Sequence, residues 1–215
     1  WVLIMGTSSR KAIVYVEGST DLPVVSAVMR ASGWGDEEFR VFSMKGSAPL
    51  EARLRDQARR PSCVPRVFLR DADGHCPVDM RRRLLPEGCA DTVVLRVCDS
   101  EIESWVLADN EGFARFFNIP LAKVELPEGP DAKERMLKCV DRLAKRHKED
   151  FVRKNAKGGK LPTYSFGSRY SIILGQFVDD EWDAQRAAER SDSLARALRR
   201  LGELHDRFVS GVFQL

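Results

Sequence analysis

The sequence predicts an α/β fold in which a mainly parallel sheet of about four strands is flanked by helices and followed by a helical C-terminal lobe. In the first ~100 residues, short β-branched and aromatic runs alternate with segments of helical periodicity, which is typical of βαβ units. After residue 100 the helical period dominates. The chain has 215 residues, of which 43% are hydrophobic and 31% charged, so it can bury a sizeable core.

The first half alternates strand and helix. The run at residues 11–17 (KAIVYVE) predicts a buried first strand, and apolar residues from Leu22 onward recur at helical spacing. Pro23 lies in the first helical turn, where proline is tolerated, and Gly33 is a typical helix stop. The remaining predicted elements of this half are a strand at 39–43, a helix at 49–60, a strand at 66–70, a short helix at 78–85 and a strand at 91–97.

The second half is predicted to be helical. The predicted elements are short helices at 102–108 and 112–117, a long helix at 131–148, a break at Gly158-Gly159, a helix or turn at 164–178, and an amphipathic terminal helix at 191–213. Composition does not change sharply enough to mark a linker. We therefore expect a core at residues 11–110 with a lobe at 111–215 packed on it.

The charge of the chain is uneven although the total is only +3. Residues 142–160 contain eight Lys or Arg and two acids, a net +6 that leaves the rest of the chain at −3. Such a segment favours contact with a polyanion, and a merely solvated surface is the alternative. The residues that we expect to hold a nucleic-acid backbone are Arg153, Lys154, Lys157, Lys160 and Arg169.

Other patterns exclude some classes of protein. No apolar run approaches the ~18 residues of a membrane span, so we expect no membrane partner. The five cysteines are odd in number and lack paired short spacing, which is typical of a cytoplasmic protein. The sequence has no Gly-x₄-Gly-Lys-Ser/Thr motif, so any dependence on ATP would require a partner protein.

Acidic residues follow three of the four predicted strands. The carboxyl ends of parallel strands meet at one edge of a sheet, where ligands bind, so these carboxylates should converge. Clustered carboxylates need a cation to stay ionised, and oxygen ligands suit Mg²⁺ or Mn²⁺. The acids are Glu17 and Asp21 after the first strand, Asp71 and Asp73 after the third, and Glu101 and Glu103 after the fourth.

Two of these segments carry a resemblance. The segment VEGSTD at 16–21 and the segment FLRDADG at 68–74 resemble the motifs of a Toprim domain, a Glu after strand one and Asp-x-Asp after strand three. The Glu-x₃-Asp spacing is similar to that of overcoming-lysogenization-defect nucleases. The block EIESWVLAD at 101–109 resembles small stand-alone Toprim-like proteins of bacteria, often encoded beside ATPases in antiphage loci. The resemblance covers residues 11–215.

The resemblance implies a role for each matching residue. Glu17 would be a general acid/base or a metal ligand, Asp71 and Asp73 a metal-ligand pair, and Asp21 a ligand of a second metal. One of Glu101 and Glu103 would be the third acidic ligand, and the sequence does not decide between them. Lys133 would face the scissile phosphate, although its position in a first helical turn favours the alternative of a solvated lysine.

The sequence thus predicts a Toprim-type nuclease that uses one or two Mg²⁺ or Mn²⁺ ions, acting in antiphage defence with an ATPase partner. DNA or RNA as substrate and the oligomeric state stay open. One alternative is a non-catalytic Toprim-like subunit of an ATPase complex. Another is a haloacid-dehalogenase-type phosphatase with Asp71 and Asp73 as its motif and Asp179 in the distal acidic pair, but that motif normally follows the first strand.

Overall fold

A computed structural model describes residues 10–127, 129–155 and 162–213. The N-terminal half contains β1 (Ala12–Val16), α1 (Leu22–Ala31), β2 (Phe39–Ser43), α2 (Ser47–Gln57), β3 (Arg66–Asp71), α3 (Pro77–Leu84) and β4 (Val93–Cys98). The C-terminal half contains α4 (Ile102–Ala108), α5 (Asn110–Phe117), α6 (Ala132–Leu143), α7 (Lys148–Phe151), β5 (Val152–Asn155), β6 (Thr163–Phe166), α8 (Tyr170–Asp180), α9 (Ala184–Ala188) and α10 (Asp192–Val209). Short 3₁₀ turns precede α1, at Ser19–Asp21, and follow α5, at Leu121–Lys123.

The four N-terminal strands form an all-parallel sheet in the order β2-β1-β3-β4. This layout is Rossmann-like, and the predicted fold class is confirmed. From β1 the chain moves to one side to make β2, and from β3 it moves to the other side to make β4. The strand order therefore reverses between β1 and β3, and such a switch point opens a crevice at the carboxyl ends of the two strands.

Helices cover both faces of the sheet because side chains alternate along each strand. On one face, Phe68 and Leu95 pack in a buried cluster with Leu50 of α2 and Met80 of α3. The opposite face belongs to a larger buried cluster that includes α1 and the C-terminal helices. Since both faces are covered, β1 is apolar at every position and β4 at every position but Arg96, which is typical of parallel sheets.

The C-terminal helices share their core with the sheet. Val14 and Leu69 belong to the same buried cluster as Leu174 of α8 and Leu201 of α10. The indole N–H of Trp34 also donates to the carbonyl of Leu201 at 3.1 Å. The helical C-terminal region is thus fastened to the sheet by apolar packing and by buried hydrogen bonds.

The expected helix at 131–148 is shorter than its periodicity suggested. It ends at Leu143, because Ala144 adopts an extended conformation and the N–H of Lys145 donates to the carbonyl of Phe117 at 3.1 Å. The chain then makes the single turn of α7 and enters β5. Charged residues continue at helical spacing beyond Leu143, so the sequence pattern does not show that the chain changes direction there.

A two-stranded antiparallel hairpin, β5–β6, was not predicted. Val152 pairs with Phe166 at its base and Asn155 with Thr163 nearer its tip. Thr163–Phe166 is the first part of the segment expected to be a helix or turn at 164–178. The expected break at Gly158-Gly159 lies outside the described residues. In the described part of the chain, no helix combines the length and apolar character needed to cross a membrane.

Candidate active site

Glu17 and Asp71 meet at the switch point of the sheet. β1 and β3 pair in parallel, so the residue after β1 and the last residue of β3 reach the same edge. The Glu17 carboxylate accepts a hydrogen bond from the backbone N–H of Asp71 at 2.8 Å, through Oε1. Burial raises the pKa of Glu17, although this hydrogen bond and the nearby Arg70 oppose the shift.

Arg70 lies between the acids of this edge. Its side chain is 7% exposed, and one guanidinium nitrogen, Nη1, donates to Glu17 Oε1 at 2.8 Å and to Asp73 Oδ2 at 2.7 Å. Its Nε donates to Glu51 of α2 at 3.3 Å. Sequence reasoning missed Arg70 and Glu51. The available signal was an arginine directly before Asp71 at the carboxyl end of β3, on the opposite face of the sheet.

Asp73 is held in a tight turn beside β4. Its φ of 48° is left-handed, and its N–H donates to the carbonyl of Ser100, which is also left-handed, at 3.0 Å. This bond joins the loop after β3 to the loop after β4. The side chain of Asp73 is 50% exposed and reaches back to Arg70.

A second group of acids in the site consists of Asp71, Asp21 and Glu103. Asp71 Oδ1 accepts the N–H of Ile102, the first residue of α4, at 3.0 Å. Burial raises the pKa of Asp71 well above its ordinary value, and the negative charges of Glu103 and Asp21 add to the shift. The three carboxylates are therefore close enough to repel one another.

Glu103 is the most buried of these acids, with 4% of its surface exposed. Burial raises its pKa to about 7, and the positive charge of Lys133 partly opposes the shift. The hydroxyl of Tyr170 donates to its Oε1 at 3.4 Å. A carboxyl group in this setting is half-protonated near neutral pH, so the charge of the site can respond to a cation.

Asp21 is positioned by the turn that opens α1. Its Oδ2 accepts the N–H of Gly18 at 2.8 Å, and its Oδ1 accepts the hydroxyl of Thr20 at 3.1 Å. Burial raises its pKa in spite of these bonds and of the charge on Lys133. The negative charges of Asp21 and Glu17 both act on Asp71, which lies between the two in this respect.

Glu101 and Glu103 have different partners. The Glu101 carboxylate accepts the backbone N–H of Lys133 at 2.8 Å, so it binds an unsatisfied donor in the first turn of α6. Glu103 instead faces Asp71 and Asp21. The geometry favours Glu103 as the third acid of the cluster and gives Glu101 the task of fixing α6.

Lys133 reaches the cluster from α6. Its charge acts on both Asp21 and Glu103, and its Nζ lies 4.5 Å from the ring centroid of Phe166. Phe166 in turn stacks on Tyr170, with 3.8 Å between ring centroids. The base of the β5–β6 hairpin therefore forms one wall beside the acids.

The basic residues expected to hold a nucleic-acid backbone are less closely gathered than the acids. Arg153 is exposed on β5, whereas Lys154 pairs with Asp141 of α6 at 3.3 Å. Arg169 pairs with Asp150 at 3.6 Å. Lys157 and Lys160 lie outside the described residues. Lys154 contacts α6 eight residues beyond Lys133, about 12 Å along the helix, so the hairpin runs away from the acids toward its tip.

Asp109, the last acid of the 101–109 block, lies apart from the cluster. Its side chain is fully buried, and its carboxylate accepts two hydrogen bonds from the Arg186 guanidinium. It also accepts the N–H of Gly112 at 3.1 Å and that of Asp183 at 2.9 Å. These contacts tie α4, α5 and α9 together, which is a structural task.

The distal acid of the phosphatase alternative is also remote. Asp179 pairs with Arg30 at 3.6 Å, near the C-terminal end of α1. Asp21 precedes the N-terminal end of the same ten-residue helix, which is about 15 Å long. This position does not support a phosphatase site in which the Asp179-Asp180 pair lies beside Asp71 and Asp73.

The site offers carboxylate oxygens to Mg²⁺ or Mn²⁺. Within residues 10–127, 129–155 and 162–213, no three His, Cys, Asp or Glu side chains are already gathered closely enough to enclose a metal ion. The fit therefore rests on donor type and charge. The donors are carboxylate oxygens, which these ions prefer, and Oδ2 of Asp71 receives no hydrogen bond from the described residues. Asp21, Asp71 and Glu103 thus offer the type of oxygen donor that a divalent cation prefers, although the described side chains do not enclose one.

Comparison with known proteins adds no assignment to this geometry. No family model, no curated protein and no solved structure matches the chain. The motifs at residues 16–21 and 68–74 therefore remain a resemblance, and the function of the site is argued from its own residues.

Proposed function

We propose that this protein is a Toprim-type nuclease that hydrolyses phosphodiester bonds of DNA or RNA with the help of Mg²⁺ or Mn²⁺. One observation carries the proposal. Mutually repelling carboxylates come together from the turn before α1 (Asp21), the end of β3 (Asp71) and α4 (Glu103), and the charge of Lys133 acts on two of them. Such a cluster costs folding free energy, and a bound cation offsets that cost.

In this proposal Asp21, Asp71 and Glu103 hold the divalent ion. When bound, the ion would neutralise charge on the phosphate and lower the pKa of a water molecule. Lys133 supplies a further positive charge to the phosphate from the side of α6. We expect the nucleic-acid strand to enter at the edge of the sheet where these acids lie.

Glu17 is the proposed general base. Its Oε1 is engaged by the N–H of Asp71 and by Arg70, so the carboxylate is held in one orientation. Its raised pKa brings it closer to the working pH, which favours proton transfer. The proton of the attacking water would be taken up by the other oxygen, Oε2.

The cationic segment is proposed to hold the nucleic-acid backbone. An acidic site repels phosphate, so cations beside it must supply the attraction that brings the strand in. Arg153, Lys154, Lys157, Lys160 and Arg169 belong to this segment or follow it. Contacts of Lys and Arg with phosphate position a strand without reading its sequence, so cleavage should show little sequence preference.

An ATPase partner, a cytoplasmic location and a role in antiphage defence complete the proposal. They are supported by the resemblance of residues 101–109 to small Toprim-like proteins encoded beside ATPases. The sequence has no P-loop motif, so control by ATP would require that motif in a partner.

The direct test is cleavage of labelled single- and double-stranded DNA and RNA with Mn²⁺, Mg²⁺ or EDTA. The wild type, the variant Asp71→Asn and the control Asp79→Asn, an exposed acid on α3, are compared alone and together with a candidate ATPase partner. We expect metal-dependent cleavage by the wild type and the control only. Equal cleavage by all three, or none under any condition, would overturn the proposal and leave the non-catalytic subunit as the reading.

A further inference from the structure

The strand β2 lies at one edge of the parallel sheet, and no other strand of the described residues pairs with its outer side. The N–H of Ala12 donates to the carbonyl of Glu38 at 2.7 Å. At the other end of the ladder, the N–H of Met44 donates to the carbonyl of Val16 at 2.8 Å. Every second residue of β2 therefore points its backbone groups to β1. The intervening residues point their N–H and C=O groups outward, and these residues are Phe39, Val41 and Ser43.

One face of β2 is also uncovered near this edge. Phe39 and Val41 point to the face that α1 covers and pack in the larger buried cluster. On the opposite face, Leu50 of α2 packs in a cluster with Tyr15 of β1 and leaves Phe42 46% exposed. Phe42 contacts Tyr15 at its side, with 6.2 Å between the ring centroids. The edge thus presents an aromatic ring together with unpaired backbone groups.

Features that usually protect an edge strand from pairing are missing from β2. Native proteins interrupt such strands with proline or with a β-bulge. The strand has the sequence FRVFS, without proline, and its register with β1 runs unbroken over all five residues. A second strand could therefore pair along its whole length.

We propose that β2 pairs with β2 of a second copy of this chain, antiparallel, with Val41 on the two-fold axis. The two four-stranded sheets would then join into one continuous sheet. Val41 would exchange two hydrogen bonds with Val41 of the partner subunit, and Phe39 would pair in the same way with Ser43 of the partner subunit. These are the residues whose backbone groups point outward, so the pairing with β1 is kept. The inference concerns assembly and goes beyond the proposed function.

The side chains of this register complement one another. Arg40 would lie opposite Phe42 of the partner subunit in a non-hydrogen-bonded pair, where Cα atoms are about 4.5 Å apart and a guanidinium can lie over an aromatic ring. Glu37 and Lys45 lie in the turns on either side of β2, four residues before and four residues after Val41. Both are exposed, so Glu37 of one copy would meet Lys45 of the partner subunit as an ion pair.

Other registers are less favourable. If the axis moved from Val41 to Arg40, the arginines of the two copies would lie directly opposite each other, and like charges in that position destabilise a sheet. If it moved to Phe42, the paired part of the strands would shorten to residues 41–43. The axis at Val41 is therefore the one that pairs the full length of β2 and avoids like charges.

The first experiment measures the mass of the protein by sedimentation velocity over a series of concentrations. An edge of five residues buries less surface than a typical stable complex, so we expect a dimer with a dissociation constant in the micromolar range. Val41→Pro should be monomeric, because proline removes the outward N–H and leaves the bonds to β1 in place. Val41→Thr is the matched control. It keeps this N–H and should dimerise like the wild type.

Charge variants keep the test decisive if Val41→Pro does not fold. Glu37→Lys and Lys45→Glu each place like charges opposite each other, so each alone should raise the dissociation constant about tenfold or more. An equimolar mixture of these two variants should dimerise again, because every charge would then face an opposite one. A wild type that stays monomeric at all concentrations would overturn the inference. So would a dimer that persists unchanged in Val41→Pro and in both charge variants, since another surface would then hold it together.

Discussion

The carboxylate of Glu101 accepts the backbone N–H of Lys133 at 2.8 Å, across 32 residues of sequence. This bond joins the loop after β4 to the first turn of α6 and sets the direction in which the Lys133 side chain leaves the helix. An acid that neighbours Glu103 in sequence thus acts on the site through the position of a lysine, and the roles of Glu101 and Glu103 can be separated experimentally.

Glu101→Ala should destabilise the protein and keep its metal binding. The substitution removes the acceptor of a helix N-terminal N–H, which typically costs about 1 kcal/mol. Glu103→Gln should do the opposite, with Mn²⁺ affinity at least tenfold weaker and no loss of stability in EDTA. Thermal unfolding and Mn²⁺ titration of both variants check this. A metal defect confined to Glu101→Ala would reverse the assignment of the two residues.

The metal-free protein should become more stable as the pH falls from about 7 toward 4.5. Burial raises the pKa of Glu103 from 4.5 to about 7, so the folded state binds this proton more tightly than the unfolded state. The stabilisation is complete below the unfolded pKa and is lost as the pH rises through the folded pKa. For Glu103 it amounts to about 3 kcal/mol at most.

Glu17, Asp21 and Asp71 shift in the same direction as Glu103. The measurement is the free energy of unfolding in EDTA at pH 5 and pH 7.5 for the wild type and Glu103→Gln. The difference between the two pH values should be smaller in the variant. A wild type that is more stable at pH 7.5 than at pH 5 would contradict this explanation.

Asp71→Asn and Glu17→Ala should differ in stability although both remove a negative charge. Charge repulsion alone predicts no loss for either. The structure separates them, because Glu17 accepts the N–H of Asp71, which would be left without an acceptor. Glu17 also pairs with Arg70, which would lose one of its carboxylate partners and keep Asp73 and Glu51. We expect Glu17→Ala to lose about 1–3 kcal/mol and Asp71→Asn to be neutral or stabilising in EDTA. Urea unfolding measures both, and Glu17→Gln, which keeps an acceptor, should recover much of the loss.

Replacing Arg153, Lys154, Lys157 and Lys160 with Gln should weaken nucleic-acid binding for all sequences alike. Each phosphate contact contributes about 0.9 to the slope of log K against log salt on duplex DNA, so the slope should flatten. Arg153→Gln should have a larger effect than Lys154→Gln, because Lys154 is already paired with Asp141. Fluorescence anisotropy at several salt concentrations tests this, with Arg196→Gln as a control. An unchanged slope in the quadruple variant would mean that the segment is only a solvated surface.

Asp109→Asn should be strongly destabilising and should spare the metal site. Removing one member of a buried ion pair leaves the other without compensation, which costs about 3–5 kcal/mol. Arg186 and the N–H of Gly112 and of Asp183 would lose a charged acceptor. The thermal midpoint should fall by several degrees, with Mn²⁺ stoichiometry unchanged in the folded fraction. A stable Asp109→Asn variant that had lost its metal would place Asp109 in the site.

The sheet could be predicted from sequence because each strand is a short apolar run between clear turns. The run at 39–43 corresponds to β2, and the run at 66–70 corresponds to all of β3 except Asp71. The β5–β6 hairpin could not be predicted in the same way. Its first strand, Val152–Asn155, has one buried residue followed by three exposed polar ones, so neither alternation nor an apolar run marks it.

Those site residues that lie at the carboxyl ends of strands could be predicted from the sequence. Glu17 and Asp71 follow from the rule that parallel strands end at one edge, since β1 and β3 are neighbours. The choice between Glu101 and Glu103 depended on where the start of α6 lies, which is a contact between distant segments. The role of Arg70 also depended on distant contacts, because its partner Glu17 lies 53 residues away in sequence.

The larger buried cluster is shared by the sheet and the C-terminal helices, and this limits how recombination can divide the chain in evolution. A cut after residue 110 would expose Val14 and Leu69 on one face of the sheet, since they belong to the cluster that contains Leu174 and Leu201. It would also remove Lys133 and Tyr170 from beside the acids. The N-terminal half, which contains the parallel sheet, is therefore not a module that recombination can move alone. We expect the two halves to diversify together.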